Sequence, residues 1–251
     1  MPEIFLTILI AAATGFTAGM FGIGGSVVAT PLLDMALGLP AIVALATPLP
    51  SAIISAGAGS LRYMWAGMVD FRMAGIAIAA AIPFGMAASW ASGIIGGEIL
   101  IVAKAGLLVF LGIRFLYIPK KSKKSENQSG GILTLILPGM LAGIISGLLA
   151  VGGGVVLVTA FNKLSGLEMK RAVATSLFCV GALALVNSLV HLSSGHIDPE
   201  IALVMMLLAW PFAIIGARFA MDMKNRALEL AFGWAMIAFA VYFILYQIID
   251  N

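Results

Sequence analysis

Charged residues make up only 10% of this 251-residue chain, against about 25% in a soluble domain. That scarcity excludes a surface that faces water over most of its area. Cysteine occurs once, at Cys179, so an intrachain disulfide is excluded. There are two histidines, no His-Glu-x2-His motif and no paired aspartates within an apolar run. An intramembrane enzyme therefore has no catalytic set, and neither a catalytic residue, a metal site nor a cofactor is expected. No carboxylate falls near the middle of an apolar run, which disfavours a cation transporter and leaves no acidic proton relay to name. Backbone carbonyls at broken helix ends remain as a route to bind Na⁺. The glycine-rich stretches lack a Walker lysine and follow no strand, so an ATP-driven pump is unsupported.

What fills the chain instead is apolar. Hydrophobic residues account for 62% of it, and the mean hydropathy is +1.12. Successive apolar runs of this kind define an all-α, polytopic integral membrane protein with the lipid bilayer as its solvent. The isoelectric point of about 9.1 does not indicate nucleic acid. Four basic residues sit in one run, Lys120, Lys121, Lys123 and Lys124, and most others lie in short connections. That is the positive-inside pattern of a membrane protein.

The chain is one unit written twice. Gly15, Gly19, Gly24 and Gly25 recur as Gly143, Gly147, Gly152 and Gly153, an offset of 143 − 15 = 128. Ala46-Thr47 then meets Ala174-Thr175, Asp70 meets Asp198, and Pro83-Phe84 meets Pro211-Phe212. In all, 21 of the 74 positions from 15 to 88 match their partner, too many for biased composition, and such self-similarity governs every later reading. The first repeat is 1–118 and the second 132–251, joined by the polar, basic linker 119–131.

Each repeat divides into apolar segments, at 3–20, 24–37, 41–63, 71–95 and 98–118, then 132–149, 153–165, 168–193, 198–221 and 226–249. The second segment of each half spans only about 20 Å of a ~30 Å core, so it either tilts across or returns to its own side. Placing the linker in the cytoplasm puts the Arg62/Arg72, Lys163/Lys170/Arg171 and Arg218/Lys224/Arg226 connections there too. The opposite connections carry Glu98, His196, Asp198 and Glu200, and both termini are then outside. The two repeats are thereby inverted, each with a glycine-broken helix, an architecture of secondary transporters.

The breaks carry the functional expectation. Gly15/Gly19 and Gly143/Gly147 have small-xxx-small spacing and read as helix-packing residues. Gly22, Gly24 and Gly25, with Gly152, Gly153 and Gly154, read as chain breaks followed by new helices starting at Ser26 or Gly154. Exposed N–H groups and about +0.5 charge at each helix start make an anion site. Two such ends aimed at the midplane suit a small monoanion without a buried arginine. Thr47 and Thr175, recurring after each break, offer hydroxyls beside it, as does Ser176. Asn187, costlier to bury, is a further candidate, although an interhelix hydrogen bond is its plainer explanation.

The paired Gly-x3-Gly-x2-Gly-x-Gly-Gly breaks, the Ala46-Thr47-Pro48-Leu49 and Ala174-Thr175-Ser176-Leu177 that follow, and the basic central linker resemble the TauE/SafE sulfite and sulfonate exporter family over nearly the whole chain. Ser26 and Ala150 depart from the glycine pattern. The resemblance implies a permease of the cytoplasmic membrane for small sulfur-containing anions, such as sulfite or organosulfonates. A passive anion channel and a non-transporting membrane subunit are the competing readings. A homodimer is compatible with the sequence, which leaves oligomeric state open.

The remaining polar and special residues read more plainly. Lys104 is expected to snorkel to the outer interface, with a second role of drawing anions to the mouth. His191 and His196 are expected at the interface near the outer end of their segment. The four tryptophans suit an aromatic belt. Pro48 and Pro50 kink the third segment in one half only, and Pro83 and Pro211 the fourth in both.

Overall fold

The computed structural model describes residues 2–117 and 133–249. The basic linker 119–131, which sets the expected orientation, and the C-terminal residues 250–251 lie outside the described residues. Among the described residues there are helices and connections and no strand. The first half contains α1 (Pro2–Phe21), α2 (Ser26–Leu37), α3 (Ala41–Ala46), α4 (Leu49–Trp65), α5 (Phe71–Ile95) and α6 (Gly97–Tyr117). The second contains α7 (Leu133–Leu149), α8 (Gly154–Thr159) with a π-helical continuation Ala160–Leu164, α9 (Met169–Ser193), α10 (Pro199–Asp222) and α11 (Asn225–Ile249). Four stretches are long and apolar enough to cross a membrane by length and composition: Ala41–Trp65, Phe71–Ile95, Met169–Ser193 and Pro199–Asp222.

Local chemistry sets these boundaries in both halves alike. Asp70 Oδ1 accepts from the Met73 N–H at 3.0 Å, starting α5. Asp198, at the same repeat position, accepts from Glu200 and Ile201 at 3.0 Å, starting α10. Each side chain satisfies N–H groups that the first helical turn leaves unpaired. The halves differ where their sequences differ. Pro48, with no N–H to give, separates α3 from α4, whereas Ser176 at the matching position lets α9 run unbroken. Pro83 and Pro211 lie inside the continuous helices α5 and α10.

The two halves do not pack as separate units. Helix α1 packs along α10, and its counterpart α7 packs along α5, the two most extensive contacts in the protein. Glycine makes both possible. A Cβ on Gly15 would stand 2.1 Å from the Ala209 carbonyl oxygen, and one on Gly143 would stand 2.2 Å from that of Ala81. One turn on, a Cβ on Gly19 would stand 2.0 Å from the Ala213 oxygen and one on Gly147 2.3 Å from that of Gly85. These pairs are equivalent at the offset of 128, so each half lends its first helix to the other's fourth apolar segment. The small-xxx-small reading of these four glycines therefore holds: backbones meet where a methyl group has no room.

The same exchange continues around the molecule. Thr47 Oγ1 accepts from the Asp198 N–H at 3.1 Å, and Thr175 Oγ1 accepts from the Asp70 N–H at 3.0 Å. Helices α4 and α9 pack on each other, as do α6 and α11. Contacts of i with j and of j with i are the mark of a two-fold relation.

The periphery is apolar. Trp65, Trp90, Trp210 and Trp234 are all exposed, with Trp65 ending α4 and the other three within helices. At one end the basic connections meet one another. Lys163 forms an ion pair with Glu229, which Arg226 also approaches at 3.2 Å. Lys170 bonds the Met221 carbonyl through Nζ and the Asn225 side chain through its backbone N–H. Two of the three short connections assigned to the positive side are thus neighbours in space.

Two expectations fail on burial. Lys104 does not snorkel; it is fully buried, its ammonium 3.1 Å from the Ser26 carbonyl and 2.7 Å from Thr30 Oγ1. Residues 26 and 30 share one face of α2, so that helix supplies two acceptors close to the lysine's reach. His191 is likewise fully buried rather than interfacial, and only His196 keeps partial exposure.

Candidate functional site

The centre of the molecule is where the two breaks meet. Helix α1 ends at Phe21 and α2 begins at Ser26, while α7 ends at Leu149 and α8 begins at Gly154. Between them the backbone turns left-handed, at Gly22 (φ 68°), Gly24 (φ 84°) and Gly25 (φ 69°), then at Ala150 (φ 49°), Gly152 (φ 72°) and Gly153 (φ 70°). The two sets match residue for residue at the offset, so the breaks have one conformation. Ala150 adopts it without being glycine, at a conformational cost of about 1–2 kcal/mol.

The breaks touch. A Cβ built on either Gly24 or Gly152 lies 3.8 Å from the other's Cα, and one on Gly154 would stand 2.2 Å from the Gly22 carbonyl oxygen. Gly24 and Gly152 are equivalent positions at the repeat offset and lie in mutual contact. Val180 closes over them, its Cγ1 2.9 Å from the built position on Gly24 and 3.0 Å from that on Gly152. Ser176 Oγ sits between the two breaks, 3.1 Å from the Gly22 carbonyl oxygen and 3.0 Å from that of Gly154, and its single proton serves both.

Around the first break the surroundings are polar. Gly25 packs against Thr14, and the hydroxyls of Thr14 and Ser26 are buried with no hydrogen-bond partner. The Ser26 N–H bonds the Gly24 carbonyl at 2.8 Å, and the Ser26 carbonyl accepts from Lys104. The second break has none of this: Ala142, Gly154, Val158 and Phe232 stand where the first has Thr14, Ser26, Thr30 and Lys104. Sequence reasoning set Lys104 aside because a lone lysine in an apolar run reads as snorkelling. Its partners lie 74 and 78 residues away on α2, beyond any local signal.

Of the sequence candidates, the structure brings together Gly22, Gly24, Gly25, Ser26, Gly152, Gly153, Gly154 and Ser176. Thr175 adjoins them on α9, with its Oγ1 engaged by Asp70, and Thr47 holds the matching bond to Asp198. Asn187 stands apart, eleven residues or roughly 16 Å along α9 from Ser176. There its Nδ2 donates to Ser146 Oγ at 2.7 Å, the interhelix bond that was its alternative reading. Among the described residues, no group of three or more His, Cys, Asp or Glu side chains is placed to hold a metal ion.

A duplicated, multi-pass helical membrane protein with glycine-broken helices meeting at its centre is the class this fold and site define. The chain matches the sulfite exporter TauE/SafE family over residues 7–243. It belongs to that family of membrane transporters. It is 25% identical over 251 residues to a probable membrane transporter protein of Xylella fastidiosa, covering 97% of this chain and 96% of that one. A probable membrane transporter protein of Haemophilus influenzae is 28% identical over 78% of this chain and 76% of its own. The probable membrane transporter protein YdhB of Bacillus subtilis is 20% identical over 90% of this chain and 94% of its own. No solved structure matches the chain.

Proposed function

We propose that this protein is a secondary transporter that carries small sulfur-containing anions, such as sulfite or organosulfonates, across the cytoplasmic membrane. The anion binds where the two breaks meet, between the start of α2 and the start of α8, and the two repeats rock about it. The observation that carries this reading is the mutual contact of Gly24 and Gly152, which puts both helix starts at one place. Left-handed glycines turn each chain there, and their own lack of side chains leaves Val180 as the side chain over Gly24 and Gly152. Helix starts favour negative charge through their N–H groups and dipole. The unpartnered hydroxyls of Thr14 and Ser26 add donors suited to sulfonate or sulfite oxygens. The family's description as sulfite exporters supports the sulfur-anion class.

Val180 over both glycines fills the centre in this state. That supports a transporter between openings over a permanently open channel. The clustering of Lys163, Lys170 and Arg226 at one end supports a cytoplasmic placement of that end and of the linker, with the two repeats inverted and both termini outside.

The test is thermal stability of the purified protein against sulfite, sulfate, thiosulfate, taurine and sulfoacetate at matched ionic strength. Saturable stabilisation by a sulfur oxyanion or sulfonate is expected, following ligand linkage. Gly25→Val and Gly153→Val should abolish it. No shift with any of these anions would remove the reading and leave the breaks as structural turns.

A further inference from the structure

The interface between α5, α7 and α9 holds a line of buried polar groups that its symmetry mate lacks. Asn187 donates to Ser146, while its Oδ1 is buried without a partner, 3.1 Å from the built Cβ position on Gly85. One turn further along α9, the His191 ring lies against the backbone of Gly147 without a hydrogen bond formed at Nε2. Ser89, which also adjoins Gly147, has a buried and unpartnered Oγ. On its other side His191 Nδ1 lies 3.3 Å from Nδ1 of His196. His196 is half-buried in the α9–α10 connection, its ring edge against Gly93.

At the offset of 128 the first half has Gly59 for Asn187, Ala18 for Ser146, Tyr63 for His191 and Met68 for His196. Tyr63 settles its own site by donating to the Gly19 carbonyl at 3.0 Å, and Gly19 is the counterpart of Gly147. The same backbone frame is therefore closed in one copy and chemically open in the other. Buried polar atoms without partners are rare, and each calls for an explanation such as a water or a catalytic role.

The chemistry of the line narrows what it handles. A metal ion needs more ligands than two imidazoles supply, and an anion needs donors, whereas the buried Asn187 Oδ1 can only accept. Imidazole is the side chain whose ordinary titration falls near neutral pH. We propose that His196 and His191 form a two-ring proton relay and that proton movement through it is coupled to anion transport. This rests on the transport reading above and adds its driving ion.

The steps balance as proton transfers alone. Neutral His196 takes a proton from water at Nε2 and passes its Nδ1 proton to Nδ1 of His191. His191 then releases its Nε2 proton inward, to water among Ser89, Ser146 and Asn187. Each transfer makes one bond to hydrogen and breaks another, and exchange of tautomers resets the pair. Ser146 lies four residues before Ala150, so the line leads toward the second break.

The ionisable surroundings are few. Helices α5 and α7 present Ser89, Ser92 and Ser146 here, none ionisable near neutral pH. The α9–α10 connection adds Asp198, whose carboxylate caps α10. Helix α4 carries Arg62 and Tyr63 in its last turns, leading to the Asp70–Thr175 contact, and Thr175 is sixteen residues along α9 from His191. Helix α11 brings Glu229 and Arg226, paired near Lys163 at that same far end.

The experiment uses the full chain in proteoliposomes containing a trapped pH-sensitive dye, with methanesulfonate and sulfoacetate as probes because their sulfonates stay ionised. The variant His191→Tyr installs the residue that the other repeat tolerates, and thermal unfolding verifies its fold. An inward anion gradient should change internal pH in the wild type. In His191→Tyr that change should fall at least tenfold while anion counterflow persists. Wild-type anion flux with no pH change, or a pH change that survives His191→Tyr, overturns the coupling and leaves the transport reading standing. Absence of anion flux strikes the transport reading, and the relay is then decided by ¹⁵N resonances of the chain's two histidines. One bare and one proton-bearing Nδ1, with a ring changing protonation between roughly pH 5 and 8, supports it; two rings fixed neutral across that range overturn it.

Discussion

Replacing Gly143 with alanine tests the exchanged packing of the two halves most directly. The added methyl carbon would stand 2.2 Å from the Ala81 carbonyl oxygen and 2.9 Å from its Cα. Contacts below 3.0 Å are essentially never seen, so α5 and α7 must separate by at least 3.0 − 2.2 = 0.8 Å. The obstacle is backbone rather than a movable side chain, and the two helices touch along most of their length. Overpacking of this kind costs about 1–3 kcal/mol, here toward the upper end. Gly75→Ala on α5 is the control, because nothing lies within 4 Å of its built Cβ. Alanine there gains roughly 0.5–1 kcal/mol through helix propensity. The two variants should thus move in opposite directions from the wild type in reversible unfolding titrations in mixed micelles. Gly15→Ala, at 2.1 Å from the Ala209 oxygen, should reproduce the Gly143→Ala loss. A Gly143→Ala protein as stable as Gly75→Ala would refute the close helix approach.

Two further outcomes can be read in the same assay. Thr47→Val and Thr175→Val should each cost about 1–3 kcal/mol by stranding the N–H of Asp198 or Asp70, and the serine replacements should recover most of it. Ala150→Gly should gain about 0.5–1 kcal/mol, the left-handed strain relieved less the entropy glycine adds. Gly22→Ala should lose about 1–3 kcal/mol, since its methyl would also meet the Val173 carbonyl oxygen; equal stability of Ala150→Gly and Gly22→Ala would contradict the matched φ values.

Much of the fold was legible because its signals are local. Segment 71–95 of the sequence is α5 to the residue, and the break before Ser26 needed only three glycines to announce it. Both members of the Thr47–Asp198 and Thr175–Asp70 bonds recur at the repeat offset. The offset alone does not say that threonine of one repeat bonds aspartate of the other, because equivalence carries no distance. Lys104 and His191 were misplaced for a related reason. Each was judged against its own segment, while burial was decided by α2 in one case and by α5 and α7 in the other. The closing valine over Gly24 and Gly152 had no signal either, since its repeat partner is Ala52.

The crossed packing of α1 on α10 bears on how the chain is made. When α1 leaves the ribosome, the surface that its glycines fit lies 209 − 15 = 194 residues ahead. At about 5–20 residues per second, the first helix waits roughly 10–40 s in the bilayer with its glycine face unmatched. The α5 groove waits less, for only α6 and the linker separate it from α7. Docking of α1 on α10 therefore comes late, and until then the glycine face of α1 lies against lipid or other helices of the first half.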